Sequence, residues 1–477
     1  LYLFWELMAV GSVFLIFLGG RKNSIQAGYR YFLAHLVSGL LLLVGVLLYI
    51  HQTGSIAFVG FDFQSISTYL ILVSFLINAG FVPFTSWMTD AYPESSPMGG
   101  VILCAFTSKT AVYALLRGFP GWDILVVIGG VMTLYAVVYA VCENDIKKVL
   151  SFSIINQVGF MICGIGIGTP LALAGVVAHA VCCILYKALL FMSVGAVYFR
   201  TGLQKCTELG GLIQSMPKTC FFAIIGALSI AAFPLTSGFV SKSIIILAAE
   251  KVHLFLPWLV LEFASATVFL HAGLKYPYFT FFNRSFKGEQ TVKEAPLFML
   301  IAMGILSFFA FFIGIFPSFL YDFLPFSDVV ESAMGRSFYD VYIHHFPHVL
   351  SKLQMLFFAA LAFFLFLPVM KHQDKIILDL DWVYRKGVSF LYRFFDLLFN
   401  GLNRLVHRVF IDGFVGAVNQ FFVFAPGYLL WMFIFPFKSL FSSKVDLNSL
   451  AHVIKYNRFS IGVSGIFVLI LMIILFV

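Results

Sequence analysis

The sequence predicts an all-α polytopic membrane protein, on three observations. Of its 477 residues, 61% are hydrophobic and 11% charged, with 59 Phe, whereas soluble domains carry roughly 45–50% apolar and about 25% charged residues. Apolar runs of about 20 residues, the length a helix needs to cross a bilayer, recur along the chain with no room for a soluble domain between them. The basic residues of the short loops between those runs sort onto alternate sides unequally, as membrane topology demands.

In order, spans are expected near residues 1–19, 31–50, 66–90, 98–117, 122–142, 149–167, 170–198, 219–250, 258–282, 295–318, 349–370 and 459–477. The chain opens inside an apolar run with neither a Met nor a basic leader, which reads as missing N-terminal helices and not as a signal peptide. The third run contains FLINAGFVPFTSW, a helix pattern interrupted by Asn78, Gly80 and Pro83. The 219–250 run is too long for a straight span and carries Pro234 and Gly238. Both read as broken helices, because proline removes a donor and clashes with the preceding turn. Such freed backbone is tolerated at membrane depth only inside protein or beside a hydrated cavity.

Loop charge fixes the sidedness. Arg21, Lys22 and Arg30, Lys147 and Lys148, Arg200, Lys205 and Lys218, and Arg284, Lys287 and Lys293 fall on one side, and Arg117, Lys251 and Arg336 on the other. Eleven against three makes the first side cytoplasmic. The same distribution accounts for the net charge of +8 without nucleic acid as a partner. From Trp382 to about Phe422, aromatic and basic residues such as Tyr384, Arg385, Phe390, Arg393, Arg404 and His407 alternate, as in an amphipathic helix lying along the cytoplasmic surface. The apolar run 421–437 contains Pro426, Gly427 and Pro436 and precedes four cations, so a surface-lying or re-entrant segment is expected there.

Charges at mid-membrane cost roughly 2.5–3.5 kcal/mol each and ask for a reason. Glu6, Lys109, His179, Lys187, Lys242, His271 and Lys275 fall near mid-depth. A lysine in apolar surroundings can exchange a proton near neutral pH, so a row of Lys, His and Glu joined by water has the chemistry of a proton path. Lys275 also fits a side chain that snorkels to the interface, His271 a hydrogen-bonded core histidine, and Glu6 a packing partner. Glu262 reads as interfacial, Asp90 and Glu94 as loop charges, and His344, His345 and His348 as an outer turn. The seven cysteines form no CxxC pair and read as buried small hydrophobes, so neither a disulfide framework nor a metal or cluster site is indicated. No nucleophile–base pair appears, so no catalytic site of the chain's own and no cofactor are expected.

FVPFTSW around Pro83 and FPLTSGF around Pro234 lie 151 residues apart and run in opposite directions through the predicted topology. That is the pattern of inverted repeats whose broken helices meet a transport path at the midplane. The same offset sets Glu6 against Gln157.

FWELMAVGSV, the block PFTSWMTDAYPESSPMGGVILCAFTSKTAVYALLR, ENDIKKVLSFSIINQVGFM, HAVCCILYKALLF and FPLTSGFVSK resemble the antiporter-like subunits of complex I and, most closely, the corresponding subunit of the Mrp-type multisubunit cation/proton antiporters. The resemblance covers roughly residues 1 to 285. It implies two inverted five-helix repeats with a broken helix in each, the first repeat truncated, then an amphipathic lateral helix and a final transmembrane helix. The implied division is 1–117 and 118–285 for the two antiporter-like halves, 286–370 for additional transmembrane helices, 371–458 for the lateral segment and 459–477 for the last span.

Carried over by position, Glu6 in FWELM matches the glutamate of the first half-channel and Lys109 in TSKTAVY the lysine linking it to the central axis. Lys187 in YKALLF matches the central lysine, His179 the first histidine before it, and Lys242 in SGFVSK the terminal lysine. Two positions depart: the lysine five residues before the first broken-helix proline is Asn78, and the second histidine of the HxxxHxxxK pattern is Cys183. Glu6 thereby loses its usual partner and is expected to be neutralised or to pair with Lys109. The resemblance implies proton translocation coupled to monovalent cation (Na+) exchange, with other integral membrane subunits as partners, in a prokaryotic inner membrane. Its alternatives are a proton-pumping subunit of a complex I- or hydrogenase-like redox complex and a non-conducting scaffold.

Overall fold

The computed structural model describes residues 2–61, 65–283, 292–368, 381–422 and Met432. They belong to two units, Leu1–Asp381 and Trp382–Val477. The first is a bundle of helices, α1 (Tyr2–Phe17), α2 (Lys22–Thr53), α3 (Ile66–Ala79), α4 (Ser86–Glu94), α5 (Pro97–Gly118), α6 (Asp123–Cys142), α7 (Ile146–Ile167) and α8 (Pro170–Thr201). It continues through α9 (Pro217–Ile230), α10 (Ser237–Lys251), α11 (Phe255–Phe282), α12 (Leu297–Ile315), α13 (Ser318–Tyr321), α14 (Ser327–Met334) and α15 (Phe346–Phe366). Among the described residues, eight helices are long and apolar enough to cross a membrane, and the shorter α1, α3 and α9 are apolar as well. The predicted span 459–477 and the segment after Phe422, apart from Met432, lie outside the described residues.

The bundle is apolar on its outer surface and polar at its axis. On α6, Val127, Val131 and Val138 are exposed while Met132, Ala136 and Ala140 are buried, the stripe a lipid-facing helix shows at a 3.6-residue period. Helix α7 is different: it is buried on nearly every side, so its polar Ser153, Asn156 and Gln157 face other helices.

Both predicted breaks are present. Helix α3 stops at Gly80, whose left-handed backbone (φ 76°) suits glycine, and a cis Val82–Pro83 bond follows. The indole Nε1 of Trp87, past the break, donates at 2.9 Å to the Ile77 carbonyl, which also accepts from the Gly80 N–H at 3.0 Å. Helix α9 stops at Ile230, and α10 begins at Ser237 with Gly238 against the end of α9; a Cβ on Gly238 would lie 1.7 Å from the Ser229 carbonyl oxygen. The two breaks share their bounds at the sequence offset of 151: α3 and α9 each have 14 residues, and α4 and α10 begin at Ser86 and Ser237.

Several expectations change. Arg30 lies in α2 and Asp90 in α4, bonded to each other at 2.8 Å, and Glu94 ends α4 in an ion pair with Arg21 at 3.2 Å. These are therefore ties between α4 and the first third of α2, not loop charges. They form because the α3–α4 break turns the acidic α4 toward the start of α2.

In the second unit, α16 (Asp381–Val406) continues into a π-helical stretch, His407–Val415. Lys386, Arg393, Asp396, Asn400 and Arg404 recur on one face at helical spacing, and the exposed Phe390, Phe394, Leu398, Leu402 and Leu405 on the other. The helix is amphipathic, as its sequence pattern predicts, with Asn400 donating to Asp396 at 2.6 Å along its polar face.

Candidate functional site

The broken helix α9–α10 is where the polar axis is densest. Pro234 and the residues around it end α9 at Ile230, leaving a carbonyl that no helical N–H can reach. The ammonium of Lys242, fully buried one and a half turns into α10, donates to that oxygen at 2.7 Å. The ammonium thus sits at the negative end of a half-helix, where a cation is favoured, with the Phe160 ring 5.8 Å away.

Helices α7 and α8 supply the rest. Lys187 is fully buried and donates to Ser153 Oγ on α7 at 2.7 Å and to the Leu150 carbonyl at 3.4 Å. Two turns earlier on α8, His179 Nε2 meets Gln157 Oε1 at 3.2 Å and Nδ1 meets Ser241 Oγ at 3.1 Å. The imidazole therefore bridges α7 to α10, beside Lys242. Tyr186 donates to the same Gln157 oxygen at 2.9 Å. The charges of Lys242, Lys109 and Lys187 all bear on His179.

Lys109, nearly buried on α5, donates to the Cys104 carbonyl at 2.6 Å and to Ser108 Oγ at 3.3 Å. It does not pair with Glu6, contrary to one expectation. The Glu6 Oε1 atom is buried without a partner, in the space that the absent side chain of Gly39 leaves on α2; a Cβ there would be 1.9 Å away. Asn78 is 1% exposed, and both atoms of its amide lack partners.

Near the C-terminal end of α6, Lys275 is fully buried, so it does not snorkel. Its ammonium takes the carbonyls of Ala140 (3.0 Å), Val141 (2.8 Å) and Glu143, closing the C-terminus of α6. His271 lies one turn deeper in the same π-helical stretch of α11; it is fully buried, and neither ring nitrogen has a hydrogen-bond partner. The charges of Lys187 and Lys275 both act on it. Glu262 is not interfacial: it is buried and bonded to a buried Lys352 on α15. His348 packs inward too, its Nε2 3.0 Å from Ser243 Oγ. Among the described residues, no group of three or more His, Cys, Asp or Glu is placed to hold a metal ion.

Sequence reasoning missed Lys352, His35 and Tyr186. Helices α2 and α8 both have 32 residues, and counted from their first residues Tyr31, His35 and Gly39 of α2 fall where α8 has His179, Cys183 and Lys187. The signal for His35 was that spacing, once the helix starts are known. His35 is buried, stacked on Tyr31 with ring centroids 3.9 Å apart, and bonds the Tyr31 carbonyl at 2.9 Å.

The family described as NADH:quinone oxidoreductase/Mrp antiporter, TM, matches residues 1–270. A Na(+)/H(+) antiporter subunit of Alkalihalophilus pseudofirmus is 29% identical over 342 residues, which cover 65% of this chain and 68% of that protein. Hydrogenase-4 component B of Escherichia coli is 30% identical over 267 residues, 50% of this chain and 40% of that protein. A chain of the Mrp complex from Dietzia sp. superimposes with a TM-score of 0.63 at 21% identity, over 74% of this chain and 75% of that one. A chain of the membrane-bound sulfane sulfur reductase, an archaeal respiratory membrane complex, does so with a TM-score of 0.60 at 24% identity, over 72% and 71%. These two likenesses concern the fold.

Proposed function

Because the chain belongs to the NADH:quinone oxidoreductase/Mrp antiporter transmembrane family, we propose that it is a proton-translocating, multi-pass subunit of a plasma-membrane complex. Its partners are other integral membrane subunits. The observation that carries this reading is the set Lys187, His179 and Lys242, fully buried yet each bonded to polar groups on neighbouring helices. A buried ammonium bonded mostly to neutral acceptors is costly as a structural element. It is suited to holding a proton and releasing it.

The proposed path enters from the cytoplasm past Lys275 and His271 and reaches Lys187. It then crosses by Ser153 and the His179–Gln157–Tyr186 cluster to Lys242. Lys109 is the link toward the first half, where Glu6 acts through its charge and Asn78 carries none. Gln157 orients the imidazole and Ser241 couples it to the helix that bears Lys242. Pro83 and Pro234 break the two helices so that backbone carbonyls face this axis.

Exchange against a monovalent cation, Na+, is the coupling we assign. The Na(+)/H(+) antiporter relative supports it, since it matches over a longer stretch than the hydrogenase component. The test is proton flux by the assembled complex in proteoliposomes under an imposed Na+ gradient. Lys187→Ala and Lys242→Ala are each expected to lower it about 100-fold, the low end of what a positioned proton-transfer group contributes. Undiminished flux in both would remove the pathway; parent flux indifferent to Na+ would remove the cation coupling alone.

A further inference from the structure

The ion pair of Glu262 on α11 and Lys352 on α15 plays no part in the path above. Its members are 8% and 4% exposed. Buried pairs are poor stabilisers, because desolvation offsets most of the Coulomb gain and apolar residues of like volume do as well. Its position suggests a use. At about 1.5 Å per residue, Glu262 lies ~10 Å along α11 from its outer end at Phe255, and Lys242 ~14 Å along α10 from its outer end at Lys251. The pair thus stands at a depth between Lys242 and the outer surface, and the charges of both members act on Lys242.

His348 completes the cluster. It precedes Lys352 by one turn on the same face of α15 and bonds Ser243, the neighbour of Lys242 in the chain, at 3.0 Å. Its ring lies against Phe239 with centroids 5.6 Å apart. His348 is half-buried, His345 beyond it likewise, and His344 is exposed, so the imidazoles grade from the interior to water. The titratable and charged groups that bear on the cluster are Lys242 from α10, Cys183 from α8, Glu262 from α11, and His345, His348 and Lys352 from the N-terminal end of α15.

We infer that Glu262, Lys352 and His348 form the outer proton-exchange site of this subunit, passing protons between Lys242 and the water of the outer face. The inference rests on the pathway proposed above. In the outward step one proton leaves the Lys242 ammonium and arrives on the Glu262 carboxylate, giving a neutral amine and a neutral acid. The Lys352 ammonium, now without its counter-charge, opposes reprotonation of Lys242. The acid then yields its proton through the His348 imidazole to outer water, and the ion pair re-forms. The inward step is the reverse.

The test uses the assembled complex in proteoliposomes, with flux followed as the outer pH is varied. Glu262→Gln and His348→Phe are each expected to lower flux more than about ten-fold. The double variant Glu262→Gln/Lys352→Met, which leaves no unpaired charge, is expected to stay as slow as Glu262→Gln. A purely structural pair predicts that the double variant returns to within about two-fold of the parent, and that result overturns the inference. Lys187→Ala separates the two levels. Flux lost there but kept in the double variant removes the outer site alone; flux kept in both removes the pathway and the site with it. If the Glu262→Gln variants do not assemble, infrared difference spectra of the parent after an outer-side pH jump decide. A protonated-carboxyl band that shifts in Glu262→Asp supports the site, and the lack of one overturns it.

Discussion

Asn78 and Lys242 show what one side chain changes at a broken helix. In the second break the freed carbonyl of Ile230 holds an ammonium. In the first, the indole of Trp87 satisfies the Ile77 carbonyl, and the position 151 before Lys242 is Ala91. Asn78, with neither amide atom bonded, cannot carry the charge that its family position implies. Installing it should therefore not restore a missing function. Asn78→Lys is expected to leave proton flux within about two-fold of the parent or to lower it, since the buried ammonium it adds lies off the path proposed through the second half. A gain above ten-fold would mean that the first half conducts and was disabled by this substitution. Glu6, Lys109, Lys187 and Lys242 were legible in the sequence because a charge inside an apolar run is costly and conspicuous. Tyr186 and Ser153 were not, since a neutral polar residue there is common and its role depends on which helix it meets. Glu262 was misread because its distance from the helix end is visible in sequence, whereas its partner 90 residues later is not.

At the level of elements, the breaks were legible from proline and glycine, but the way their ends are satisfied was not. Gly238 is the contact that seats α10 on α9. Gly238→Ala puts a methyl on the Ser229 carbonyl and is expected to cost on the order of 1–3 kcal/mol. It should also depress flux, because the carbonyl that holds Lys242 is the next one along α9. Gly11, with nothing within 4 Å of an added Cβ, is the control: Gly11→Ala should change neither melting temperature nor flux. Lys275 closes the end of α6 through three carbonyls. Lys275→Met should destabilise by about 1–3 kcal/mol for the acceptors left unsatisfied, and Lys275→Arg should recover most of it in thermal melts. Equal stability of the Met and Arg variants would contradict the capping role.

For the whole molecule, the sidedness expected from loop charge rests on insertion itself reading Lys and Arg. Among the described residues the positions of the long helices followed from span length, and the two broken crossings were placed as single runs of apolar sequence. The ties among Arg21, Glu94, Arg30 and Asp90 escaped, because they join helices distant in sequence. In a background where exposed Cys142 is replaced, Lys218→Cys should react with a membrane-impermeant maleimide only from the cytoplasm, and Lys251→Cys only from outside. The opposite labelling would invert the direction assigned to every step.

The central claim is that protons cross through the second half, between Lys187 and Lys242, and not through the first. Proton flux by the assembled complex in proteoliposomes, compared for Lys187→Met and Asn78→Leu at equal protein content, tests it most directly. The account predicts a loss of about 100-fold in the first and a change within about three-fold in the second. Flux that survives Lys187→Met, or collapses in Asn78→Leu, would contradict it.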